Sequence, residues 1–234
     1  MRATVGIVRA IEQSNAYSFA ADVCYTSPMR SAIAALDHLV LATPDLRATA
    51  AWMSEATGVA ASPGGPHVGR GTRNELYSLG HASYLEIIGS DATQPAPVGP
   101  RPFGVDDLTA PAMVAWAIAV SDIDAAIESA RRVGHDPGPA AEMQRERPDG
   151  VVLSWRLTLA QSVSVPFLIE WHTPFHPAFD AAPGVELVEL RARHPQPNLL
   201  SGILSALGIS MGIERGPEAL LVKMTGPLGS VWFA

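Results

Sequence analysis

The 234-residue chain has a single cysteine, Cys24, and few charges, with 17% of its residues being Asp, Glu, Lys or Arg. A lone thiol excludes an internal disulfide framework and any cysteine-based zinc module. The charged fraction lies below the ~25% usual for soluble domains, so much of the surface must be Ala, Gly, Pro, Ser and Thr. Positive charge is the scarcer sign, 16 Lys and Arg against 23 Asp and Glu, and the net charge is −7. Without a dense basic run, an electrostatic nucleic-acid binder is not expected. No apolar run approaches the ~20 residues of a membrane span. What the chain does have is hydrophobic content, 47% of residues, enough for a folded core. These features lead us to expect a soluble, cytoplasmic protein with no nucleic-acid and no membrane partner.

Residues 1–30 read differently from the rest. The apolar run from Val5 to Val8 is soon broken by Arg9 and Glu12, too short for a signal peptide. A second methionine, Met29, precedes a clear strand pattern, so residues 1–30 are expected to be a disordered extension or one upstream of the natural start. The alternative is an amphipathic helix packed on the domain.

The remainder shows internal self-similarity. Leu36 to Ala42 reads as a strand, and Thr43-Pro44-Asp45 as a Thr cap with Pro in the first helical turn. Leu46, Ala50, Met53 and Ala56 recur at helical spacing up to Gly58, and strand-like runs follow a Gly/Pro loop at 74–79 and 83–88. Residues 113–120, the cap pair Ser121-Asp122, a helical run to Gly134 and strands at 150–159 and 165–172 repeat the order. The proline-rich stretch 91–110 between the two copies is an exposed linker or lid. Residues 31–175 are thus expected to form an α+β domain of tandem βαβββ modules paired around a cleft. Residues 183–234 follow as a third, abbreviated βαβββ-like unit, whose edge strands invite a homodimer.

Three groups of polar residues stand out. His38 lies in the first strand, Glu86 in the last strand of the first copy, and Glu170 in the last strand of the second. Alternation along a strand puts His38 with Leu36 and Val40, and Glu86 with Tyr84 and Ile88. An imidazole and carboxylates on apolar faces are costly unless paired or metal-bound, and such a set can hold a divalent ion with positions left open. The alternatives are a Glu at the solvent rim and a His satisfied by a backbone carbonyl. The second group is the loop from Gly64 to Asn74, in which His67, Arg70, Thr72 and Asn74 offer polar groups within nine residues. It lacks the Gly-Lys-[Ser/Thr] ending of a phosphate loop and the setting of a dinucleotide fingerprint, leaving a ligand-facing loop or a plain hairpin turn. The third runs from Arg145 to Gly150, with Trp155 and Arg156 in the next strand. Pro148-Asp149-Gly150 is a turn signal; Arg147 or Arg156 is suited either to clamping a carboxylate or to a surface ion pair.

Leu36-Asp37-His38-Leu39-Val40-Leu41-Ala42, the loop from His67 to Asn74, Tyr84-Leu85-Glu86-Ile87-Ile88, and Arg147-Pro148-Asp149-Gly150 through Leu157 together resemble the glyoxalase-like branch of the vicinal oxygen chelate superfamily. The resemblance covers residues 36 to about 175 well and the third unit loosely. It implies paired βαβββ modules curling around a metal cleft, with ligands on the first and last strands of the paired modules. Carried over by position, the metal ligands are His38, Glu86 and Glu170, and a fourth position falls on Ala115, which has no donor atom. One His and two Glu suit Mn, Mg or Zn; an iron site would need His67 as a further ligand. The resemblance further implies Glu170 as general base and His67 in a catalytic role, with Arg70, Thr72, Asn74, Arg147 and Trp155 holding the substrate. Two functions follow: a divalent-metal-dependent lyase or isomerase acting on a small oxygenated substrate, or a metal-free small-molecule binding or resistance protein on the same fold.

Overall fold

A computed structural model describes residues 35–80, 82–146 and 150–234. The expected extension at residues 1–30, with Cys24, lies outside the described residues, as does Arg147.

The first module comprises β1 (Leu36–Ala42), α1 (Leu46–Thr57), β2 (Ser62–His67), β3 (Thr72–Gly80) and β4 (Ser83–Ser90). The second comprises β5 (Ala112–Ala119), α2 (Ile123–Arg132), β6 (Ala141–Glu146), β7 (Val152–Leu157) and β8 (Phe167–Trp171). Their eight strands form one sheet in the order β2-β3-β4-β1-β5-β8-β7-β6. In each module the first strand pairs parallel with the last, and β1 joins β5 antiparallel, so the modules meet along their first strands. The tandem βαβββ architecture expected from the repeat is present.

The two helices begin alike. Asp45 caps α1 by accepting a hydrogen bond from the Ala48 backbone N–H at 3.0 Å, and Asp122 caps α2 by accepting one from Ala125 at 2.9 Å. The expected Thr cap thus gives way to Asp45, while the Thr43 hydroxyl bonds that of Thr49 at 2.7 Å in the interior. Helix α1 ends at Gly58, whose φ of 81° is the left-handed conformation that glycine accepts without steric cost.

Two strands are hidden in the sequence. β2 reads Ser-Pro-Gly-Gly-Pro-His, a turn composition, yet it forms a ladder with β3. It can do so because it ends the sheet: a proline in an edge strand has no second ladder to break. β6 ends the sheet on the other side. These two edges approach each other, for Arg145 on β6 donates from Nη1 to the Gly64 carbonyl on β2 at 3.4 Å. The sheet is therefore curled into a half-barrel, with an inner and an outer face.

The outer face carries the main core. Leu39, Leu41, Leu85, Ile87, Trp116, Ile118 and Leu168 pack there against helices α1 and α2 and against the C-terminal unit. That unit contains β9 (Glu186–His194), α3 (Pro197–Ala206), β10 (Gly212–Arg215), β11 (Ala219–Thr225) and β12 (Ser230–Phe233), in the sheet order β10-β9-β11-β12. It keeps the chain order βαβββ but not the pairing, because β9 pairs parallel with the strand directly after the helix and antiparallel with β11. Leu190, Ala192, Leu220 and Val222 join it to the outer-face core.

The inner face carries a smaller cluster of Val40, Ala42, Ile88, Ala115, Ala117, Phe167 and Ile169. The proline-rich stretch is not an open linker. Its 3-10 turn at Pro102–Asp107 lays Val105, 4% exposed, with Phe103 and Leu108 onto this cluster. Arg101 fastens the stretch by donating from Nε to the Gly71 carbonyl at 2.8 Å.

Candidate functional site

The inner face holds two polar groups, one supplied by the first module and one shared between β1 and the end of the second. The first centres on Glu86. Its Oε1 accepts a hydrogen bond from Asn74 Nδ2 at 2.5 Å and lies 3.5 Å from His67 Nε2. His67 Nδ1 in turn lies 2.9 Å from the Thr72 hydroxyl. Neighbouring strands create this convergence, with β2 and β4 flanking β3. Gly64 permits it sterically, since a Cβ there would come within 2.1 Å of Asn74 Oδ1. Burial lowers the pKa of His67, as do the nearby Arg145 and Arg70 guanidiniums, while the Glu86 carboxylate opposes the shift. His67 is thus held as the neutral imidazole at neutral pH. Arg70, by contrast, is exposed at the hairpin tip.

The second group centres on Asp37, which is only 1% exposed. Its Oδ1 accepts from His38 Nδ1 at 2.6 Å, and its Oδ2 accepts from Trp171 Nε1 at 2.7 Å and His176 Nε2 at 3.0 Å. Burial alone would raise the Asp37 pKa, but the hydrogen bonds it accepts from His176 and His38 hold it well below the usual carboxylate range. Rings surround this group: Tyr84 stacks on His38 at 4.7 Å, Phe167 meets it edge-on at 5.3 Å, and Trp155 lies 5.2 Å from Trp171. Burial pushes the Tyr84 phenol well up; the Asp37 and Glu86 charges add to this and Arg145 opposes it, so Tyr84 senses both polar groups.

A register irregularity explains how Asp37 and His38 come together. Between Leu36 and His38 the β1–β5 ladder shifts. Leu36 consequently packs into the outer core, away from His38, and not on one face with it as plain alternation predicts.

Glu170 does not join this site. Along β8, Phe167 and Ile169 belong to the inner cluster, with Trp171 packed against it, whereas Leu168 belongs to the outer core. Glu170 follows the parity of Leu168. Its Oε2 is 3.7 Å from Arg156 Nη1, and Arg156 also bonds Asp124 on α2 and faces Glu142. His172 Nε2 lies 3.7 Å from the same carboxylate oxygen. Arg156 is therefore an outer-face ion-pair residue.

The ladders identify the true counterpart of Glu86. Ala42 and Ala119 each lie three residues before their caps, Asp45 and Asp122, and pair with Ile88 and Ile169 respectively. Glu86, two residues before Ile88, is matched by Phe167. The second module thus offers Ala115 and Phe167 where the first offers His38 and Glu86, and neither has a donor atom for a cation. In the first module, His38 Nδ1 is engaged by Asp37 and Glu86 Oε1 by Asn74. Among the described residues no three His, Cys, Asp or Glu are placed to share an ion. The donor set does not fit a resident divalent metal.

A family model described as a glyoxalase-like domain matches residues 36–208. The chain belongs to this glyoxalase-like family of the vicinal oxygen chelate superfamily. The match spans both modules and reaches through α3 of the C-terminal unit. Among solved structures, a hypothetical protein from Staphylococcus aureus is similar at 14% identity, over 85% of this chain and 84% of that one, with a TM-score of 0.54. Methylmalonyl-CoA epimerase from Mycobacterium tuberculosis aligns at 17% identity over 64% of this chain and 92% of its own, with a TM-score of 0.38. The first of these shares the fold; the second carries no weight for function. No curated protein matches the chain. Among the described residues, no helix is long and apolar enough to cross a membrane.

Of the residues singled out in the sequence, His38, His67, Thr72, Asn74, Glu86 and Trp155 lie on the inner face. Asp37, Phe167, Trp171 and His176, which the pattern does not single out, lie there too, as does Arg145, to which the sequence assigns no role. Phe167 was findable by counting from the Asp122 cap. The approach of Arg145 was not, because it depends on the curl that brings two sheet edges together.

Proposed function

We propose that the inner cleft is a small-molecule site that operates without a resident divalent metal and takes a planar, largely apolar molecule bearing an oxygen function. The supporting observation is the asymmetry of the floor. Ala115, Ala117, Phe167 and Ile169 make one half apolar, while Glu86, His67, Asn74 and Asp37-His38 make the other polar. Half-buried Trp155 and Trp171 offer flat surfaces beside it. Ala115 and Ala117 contribute only methyl groups to the apolar half, and both are fully covered. The floor itself is covered, with His38 at 6% and Glu86 at 8% exposure, so a ligand enters by displacing a covering segment such as the Pro102–Asp107 turn.

A second reading, catalysis, is favoured by His67. A neutral imidazole 3.5 Å from the Glu86 carboxylate is a proton acceptor of the kind used in isomerase or lyase chemistry. On this reading the metal-dependent enzyme implied by the resemblance is replaced by a metal-free acid–base enzyme acting on the same class of substrate.

Calorimetry with 2-naphthol as probe, in excess chelator, tests the site. Saturable one-site binding that is lost in Phe167→Asp and unchanged by added Zn2+, Mn2+ or Mg2+ is expected. Absence of binding at millimolar probe, or binding that requires the ion, would contradict the proposal.

A further inference from the structure

The Asp37 cluster contains two histidines that its hydrogen bonds treat differently. His176 uses both ring nitrogens. Its Nδ1 accepts from the Ala178 backbone N–H at 3.2 Å, and its Nε2 faces Asp37 Oδ2 at 3.0 Å. A nitrogen that accepts from an amide carries no proton, so Nε2 carries it and donates to the carboxylate. His176 is therefore a strut with no nitrogen to spare. Trp171 Nε1 can only donate, so Oδ2 is saturated by two donors.

His38 uses one nitrogen. Its Nδ1 lies 2.6 Å from Oδ1 of a carboxylate that the cluster keeps ionised, and two lone pairs cannot meet at that distance, so Nδ1 bears the proton. In the neutral ring Nε2 is then a bare lone pair on the opposite edge. Among the described residues nothing bonds to it. Three described side-chain atoms are fully buried without a partner, Asn74 Oδ1, Tyr77 Oη and Thr173 Oγ1, and His38 Nε2 is not one of them. The small exposure that His38 retains thus reaches this nitrogen. The ring cannot turn away, because Tyr84 stacks on its face at 4.7 Å and Phe167 abuts it.

We infer that His38, locked by Asp37 in the Nδ1–H form, is the specificity-determining acceptor of the cleft and selects planar ligands that carry an O–H donor, such as phenols and enols, over their O-alkylated counterparts. This rests on the metal-free reading, since an ion would compete for the same lone pair. An acceptor in an apolar, ring-lined site discriminates strongly, because a ligand without a donor leaves Nε2 desolvated and unpaired.

The test compares 2-naphthol with 2-methoxynaphthalene, which keeps the rings and loses the O–H. Calorimetry on chelator-treated full chain is expected to give about tenfold or more tighter binding for 2-naphthol. The preference should disappear in His38→Phe, which keeps a stacked ring. Equal affinity of the two probes for the unaltered protein would overturn the inference while leaving the proposed cleft standing; failure of both to bind at millimolar concentration would overturn both. Nitrogen NMR of histidine-labelled protein needs no variant. His38 should show a protonated Nδ1 and a bare Nε2 whose signal moves on adding 2-naphthol, while His176 stays in the Nε2–H form throughout. A bare Nδ1 on His38 would overturn the locked tautomer. A Zn2+-induced shift at His38 Nε2 would instead overturn the metal-free reading, with the Asp37 pairing intact.

Discussion

The two modules of the curled sheet share chain order, strand pairing and an aspartate cap at the same distance from the first strand, yet their inner faces have opposite chemistry. The first presents His38 and Glu86, and the second presents Ala115 and Phe167 at the matching ladder positions. Their outer faces differ little in character: Leu39, Leu41 and Ile87 are matched by Trp116, Ile118 and Leu168, all buried in one core. The physics of the two faces explains this division. The outer face must bury apolar surface against helices and the C-terminal sheet, and any polar intrusion there costs stability. The inner face is free of that duty and can diverge between copies, so function is read from it and fold from the other.

Four changes break or sharpen this contrast. The largest effect is expected from Asp37→Ala, which strips the acceptor from His38, Trp171 and His176 at once. Leaving such donors buried and unpaired should cost about 3–5 kcal/mol in urea unfolding. The same group sets an acid limit. A carboxyl whose folded pKa is depressed contributes stability that is present above its unfolded value of about 3.9 and is lost as pH falls towards the folded value. The unaltered protein should therefore lose stability on acidification below about pH 4, and Asp37→Asn should flatten that part of the profile.

Next in size is the double change Ala115→His with Phe167→Glu, which gives the second module the inner-face residues of the first. Burying a carboxylate without a partner should lower stability by about 2–4 kcal/mol, and Zn2+ should restore it. Restoration by zinc in the double variant, and none in the unaltered chain, would establish that the second module's residues decide the absence of an ion site. Zinc stabilising both proteins equally would dissolve the contrast.

Legibility from sequence followed the same division. The outer face was readable because its apolar periodicity and its aspartate-to-glycine helix boundaries are local signals. The inner face was readable only where a polar residue interrupts an apolar strand, as at His38 and Glu86. Glu170 failed that test by one position: strand parity reverses with a single residue, and its outward direction becomes evident only when Leu168 is seen in the outer core. β2 was hidden because Pro63 and Pro66 signal a turn unless the strand is known to lie at a sheet edge. The Asp37–His38 pairing was hidden because neighbouring residues on a regular strand face opposite ways, and a ladder shift cannot be read from composition.

A smaller effect is expected from Glu86→Gln. The Asn74 hydrogen bond can survive on the amide oxygen, but the charge that opposes the lowering of the His67 pKa is lost. His67 should then titrate at still lower pH, as followed by proton NMR of its ring; an upward move would contradict the placement of these two groups. The smallest effect belongs to Glu170→Gln. An outer-face pair with Arg156 should contribute less than about 1 kcal/mol, and probe binding in the cleft should not change.

The central claim is that the cleft has no place for a resident divalent ion, because only one of its two modules supplies donors. The most direct measurement is calorimetric titration of chelator-stripped, untagged protein with Zn2+ and Mn2+, alongside His38→Ala and Glu86→Ala. The expected result is no stoichiometric binding tighter than millimolar in any of the three proteins. Stoichiometric micromolar binding in the unaltered chain, abolished by either substitution, would contradict it.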